Sequence, residues 1–143
     1  MSRLCAWSVH AAAAVVALTG LVYGWMLYFG EPADEFSILN HPWQGDLQWG
    51  HIVAAPTLVF ACGLIWRAHV WLRLRTGHRQ RRATGLVLAV LFAPMVVTGY
   101  LLQAAVDDGW RTAWVWSHGI CSSLWVLAYV VHQVPRRRVQ TSQ

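Results

Sequence analysis

The chain has 143 residues, of which 57% are hydrophobic and 12% charged, and its formal net charge is +5. A water-soluble domain of this length cannot bury that much apolar surface, so membrane spans are the first expectation. The positive balance does not argue for nucleic acid, because every basic residue is an arginine placed between or beside apolar runs, which is the charge pattern of membrane topology.

Four apolar runs follow in chain order, at roughly residues 5–29, 47–72, 84–106 and 113–134, each longer than the ~20 residues needed to cross a hydrocarbon core. Arg3 and the alanines behind it resemble a signal peptide, but the apolar part is too long, and a retained helix is expected. The first loop carries Glu31, Asp34, Glu35 and Asp46 and no arginine. The second carries Arg73, Arg75, Arg79, Arg81 and Arg82; the third, Asp107, Asp108 and Arg111; the tail, Arg136, Arg137 and Arg138. The positive-inside rule puts both termini and the middle loop in the cytoplasm and the acidic loops outside. Trp43, Trp49, Trp110, Trp114 and Trp116 then fall at the outer ends of the spans, and Trp7, Trp66 and Trp71 near the inner ends, as an interfacial belt does. The expected fold is all-α and integral to the membrane. It is a single bundle of four transmembrane helices over residues 1–143, without internal repeat or soluble domain. Pro56 and Pro94 fall mid-span, where kinks are expected. Cys5, Cys62 and Cys121 form no C-x-x-C or C-x-x-C-H and are read as small buried hydrophobes.

Five of the seven histidines lie in or at the ends of the spans: His10, His51, His69, His118 and His132. An ionisable group inside a membrane is costly and usually faces the bundle interior with a partner. These five sort into two depths. His51 and His118 lie about one turn from the outer ends under the expected boundaries, and His10, His69 and His132 near the inner ends. Positions 51 and 69 are 18 apart, about five full turns, and positions 118 and 132 are 14 apart, roughly 40° short of four turns. Each of the two helices thus presents one histidine high and one low on a shared face. A haem held by two imidazoles needs donors from two helices at one depth, and the pattern supplies two such sets, about 20 Å apart along the membrane normal. The outer set is His51 with His118. The inner set is His132 with His10 or His69, facial alignment favouring His69. Iron held through these histidines is the only metal expected, and no catalytic residue is assigned.

Glycines give weaker support: a porphyrin needs room between helices, but ordinary small-residue helix packing uses glycine in the same way and is the favoured account. Gly85 and Gly99 fall near the two proposed depths, and Gly20 and Gly24 lie on the first span. Arg67, Arg73, Arg75 and Arg82 are candidates for neutralising haem propionates, although setting topology is sufficient to account for them and is the favoured role. His41, in His41-Pro42-Trp43-Gln44, is expected in a loop or facing a partner, and His78 in solvent.

The arrangement of histidines and spans resembles the four-helix di-haem cytochrome b proteins, among them the membrane subunits of formate dehydrogenase and nickel–iron hydrogenase and related small bacterial cytochromes b. The likeness covers nearly the whole chain and includes the strings Thr19-Gly20 and Thr98-Gly99-Tyr100. Carried over, it implies an outer haem b on His51 and His118 and an inner haem b on His10 and His132. It further implies a bacterial inner (cytoplasmic) membrane, other redox subunits as partners, and electron exchange with a quinone. Gln48, Tyr100, Gln103 and the spare inner histidine are the polar groups for a quinone site. His69 and the His41 segment are additions to the family pattern.

Three functions follow as expectations. The first is an electron-transfer subunit without catalytic chemistry of its own, relaying electrons between a quinone pool and an outer-face partner. The second is a metal- or proton-transport protein built on the histidines, which calls for acidic or thiol groups beside them. The third is a cofactor-free structural or assembly subunit whose histidines hydrogen-bond between helices.

Overall fold

In the computed structural model, residues 2–32, 34–77 and 81–134 are described. The first helix, Arg3–Phe29, opens on Ser2, whose hydroxyl accepts from the Cys5 N–H at 3.2 Å. It closes at Gly30, whose N–H reaches the Met26 carbonyl. A Cβ at Gly30 would stand 2.5 Å from that carbonyl and 3.1 Å from the Asn40 Cβ. The bare backbone lets Asn40 close on the helix end, where its Nδ2 donates to the Leu27 carbonyl at 2.9 Å. The Asn40 N–H in turn donates to Oε1 of buried Gln44 at 3.1 Å, tying the loop to the start of the second helix.

That second helix runs Gln44–Arg75. It is α-helical to Ile65, π-helical over Trp66–Trp71 and α-helical again over Leu72–Arg75. The third is Arg82–Ala104 and the fourth Asp108–Gln133. Asp107 caps the fourth by accepting from the Trp110 N–H at 3.0 Å, which satisfies one of the orphan donors of the first turn.

All four expected spans are present, with shifted starts. The fourth helix begins at Asp108 rather than near 113, because Asp107 acts as a cap instead of extending a loop. The second begins at Gln44 rather than near 47 and takes Asp46 into its first turn, where a carboxylate suits the positive end of the helix dipole. Asp46 and Asp108 thus belong to the helices, and His51 and His118 lie about two and three turns from their helix starts rather than one.

Among the described residues, these four helices are long and apolar enough to cross a membrane. In their most apolar windows only 6–11% of residues are buried. Leu18, Val53, Phe60, Val90 and Leu127 are among the many large apolar side chains left exposed. Surface of that kind on every helix needs lipid as its solvent, and the chain is built as a multi-pass membrane protein.

The chain divides into two compact units, Met1–Leu72 and Arg73–Gln143. Each is a helical hairpin, the first helix packing on the second and the third on the fourth. The two hairpins carry one pattern, which corrects the expectation of no internal repeat. Trp43, Trp49 and His51 are spaced as Trp110, Trp116 and His118, and Thr19-Gly20 corresponds to Thr98-Gly99 on the preceding helix. The repeat is masked in the sequence because 32 residues separate Thr19 from His51 and only 20 separate Thr98 from His118.

Candidate functional site

Each Thr-Gly step meets a histidine of the neighbouring helix. In the first hairpin, His51 Nδ1 lies 3.1 Å from the Val16 carbonyl and 3.2 Å from Thr19 Oγ1. A carbonyl oxygen only accepts, so Nδ1 carries the proton and the ring's lone pair lies on Nε2. The local sequence explains the approach. Along a helix, the carbonyl of residue i faces residue i+4, here Gly20 for Val16. Glycine leaves that carbonyl's second lone pair open to an incoming ring. An ideal Cβ on Gly20 would sit 2.8 Å from His51 Cε1. Thr19 donates its own proton to the Val15 carbonyl at 2.8 Å, so toward the imidazole its oxygen is an acceptor.

The second hairpin repeats this arrangement. His118 Nδ1 lies 3.0 Å from the Met95 carbonyl and 3.4 Å from Thr98 Oγ1. Thr98, itself buried, donates to the Pro94 carbonyl at 2.7 Å. A Cβ on Gly99 would stand 3.1 Å from His118 Cε1. The Ser122 hydroxyl lies 3.3 Å from His118 Nε2, where it donates to the lone pair that the tautomer places there.

One further step on the third helix holds the second histidine of the fourth. His132 Nδ1 lies 2.9 Å from Thr84 Oγ1, and Thr84 donates to the Arg81 carbonyl at 3.1 Å. Gly85 leaves 3.5 Å between an ideal Cβ and His132 Cε1. Arg81, in the left-handed region at φ 57°, donates from Nη1 to the His132 carbonyl at 2.8 Å and so caps the end of the fourth helix. Arginine suits the negative end of the helix dipole there. His118 and His132 thus both turn their Nδ1 edge to the third helix, as their 14-residue spacing requires.

The remaining expected residues are placed differently. His10 packs edge-on against Trp7 of its own helix at 6.0 Å. His69 lies within the π-helical turn. Since i→i+5 bonding winds more residues into each turn, the 3.6-residue phase relating it to His51 does not run unbroken to it. Arg67, Arg73, Arg75 and Arg82 are exposed, as are Gln48, Tyr100 and Gln103. Gln103 donates to the Gly99 carbonyl at 3.3 Å. His41 stands just ahead of the second helix, where its Nδ1 accepts from the Trp43 N–H at 3.2 Å. His78, Arg79 and Arg136, Arg137 and Arg138 lie outside the described residues. Sequence reasoning missed Thr84 as the partner of His132 and Arg81 as its cap; the dipeptide Thr84-Gly85, repeating Thr19-Gly20 and Thr98-Gly99, was the available signal.

A metal-bound histidine almost always donates its other ring N–H to a carbonyl, a carboxylate or water, which fixes tautomer and ring orientation. Haem iron takes such an imidazole as an axial ligand. His51 and His118 meet this condition through the Val16 and Met95 carbonyls; His132 has the Thr84 hydroxyl at its Nδ1, and the glycines beside all three rings keep each imidazole close to its partner. The donor set fits haem ligation. No family model, no curated protein and no solved structure matches the chain.

Proposed function

We propose that this protein is a membrane electron-transfer subunit binding two b-type haems, one on His51 and His118 and the other on His132 with His10 or His69. The observation that carries the reading is the commitment of Nδ1 to a backbone carbonyl in two membrane-embedded histidines, His51 and His118, which places the ring lone pair on Nε2. Bound haem supplies a one-electron carrier. The chain's part is to hold the imidazoles at two depths and to surround them with low-dielectric helix. Loop charge supports cytoplasmic termini. Resemblance supports a bacterial inner membrane, other redox subunits of a larger complex as partners, and quinone as the exchanging small molecule near Gln48, Tyr100, Gln103 or the unused inner histidine.

The test is a haem count on single variants of the full chain. His51→Ala and His118→Ala each remove the same haem and leave the other, while His132→Ala removes the second. Of His10→Ala and His69→Ala, one removes that second haem and the other leaves the spectrum unchanged. Retention of both haems in His118→Ala would overturn the assignment.

A further inference from the structure

Resting on the haem reading above, we infer that Thr19, Thr84 and Thr98 are positioning residues which set the electron-donor strength of the histidines they hold, and with it the reduction potential of each haem. A hydroxyl has one proton to give. In all three threonines it points back along their own helix, to Val15 at 2.8 Å, Arg81 at 3.1 Å and Pro94 at 2.7 Å. A backbone carbonyl holds the proton on Nδ1 of His51 and His118, so the oxygens of Thr19 and Thr98 are acceptors in a chain from ring N–H to hydroxyl to carbonyl, and Thr84 stands in the same place beside His132, 2.9 Å from its Nδ1. Such chains polarise their members cooperatively in a low-dielectric surrounding. Pulling on the Nδ1 proton makes Nε2 a better donor, which stabilises ferric over ferrous iron and lowers the potential.

The alternative role for the same threonines is interhelical glue between helices in lipid. The two roles separate on a residue chosen as control. Thr57 donates to the Ala54 carbonyl of its own helix at 2.7 Å, the same back-bond without a histidine partner. Thr→Val keeps the branched shape and replaces the hydroxyl by a methyl group.

The experiment uses the full-length protein and its Thr19→Val, Thr84→Val, Thr98→Val and Thr57→Val variants. It measures haem content, midpoint potentials by redox titration, and the ferric low-spin EPR g values. The expected result is a raised potential and shifted g values for one haem in Thr19→Val and Thr98→Val, for the other haem in Thr84→Val, and for neither in Thr57→Val. Thr→Ser restores the parent values. Should a valine variant lose its haem, restoration by serine at a potential near the parent supports the inference, and failure of serine to restore it overturns it. Retained haem with unmoved potentials and g values in Thr84→Val and Thr98→Val also overturns it, while leaving the haem reading standing. A parent protein without haem would instead bring down that reading and this inference together.

Discussion

At the residue scale, the three glycines beside the histidines differ in one measurable respect, the space a methyl group would find. At Gly20 the Cβ would meet His51 at 2.8 Å, at Gly99 it would meet His118 at 3.1 Å, and at Gly85 it would meet His132 at 3.5 Å. The last is ordinary van der Waals contact. The first demands that a ring held by two acceptors give way, an overpacking cost of about 1–3 kcal/mol. Gly20→Ala should therefore lower haem retention and detergent stability most, Gly99→Ala less, and Gly85→Ala little. Equal damage from Gly85→Ala and Gly20→Ala, in parallel haem counts and unfolding curves, would contradict the geometry. The glycines were legible in the sequence as small residues at useful depths, and the Thr-Gly strings as a point of resemblance. What could not be read is that the threonine and the carbonyl three residues before it act together on one nitrogen, because that requires knowing which helix face each ring approaches.

At the element scale, the spans were readable because twenty or more apolar residues between charged loops leave few alternatives. Their starts were less so. Asp107 and Asp108 read as a polar loop, yet Asp107 is a cap and the helix begins behind it. Asp107→Ala should cost about 1 kcal/mol, seen as an earlier unfolding midpoint in a detergent titration. Asp108→Ala, lacking the cap bond, should cost less. The π-helical turn at Trp66–Trp71 was likewise invisible, since a hydrophobic run carries no mark of a single wider turn. Turns of this type are frequent at functional sites, and this one contains His69, one of the two candidates for the inner ligand. The repeat between the hairpins is hidden in the sequence for a simpler reason. Its two copies match in their helices but differ in the loop joining them, so no constant period runs along the chain.

At the scale of the whole molecule, two separable claims can be tested. The first is topological. An alkaline phosphatase reporter inserted after Ile38, in the acidic loop, should be active, and a green fluorescent protein fused after Gln143 should fluoresce, because arginine-rich segments stay in the cytoplasm. The opposite pair of results would invert the topology without touching the haem sites. The second claim is that the histidines carry haem, and it is tested most directly by one measurement. The full-length protein, solubilised in detergent and shown to be folded, is examined by reduced-minus-oxidised spectroscopy with a pyridine haemochrome count. The account predicts two b-type haems per chain; folded protein without haem would contradict it.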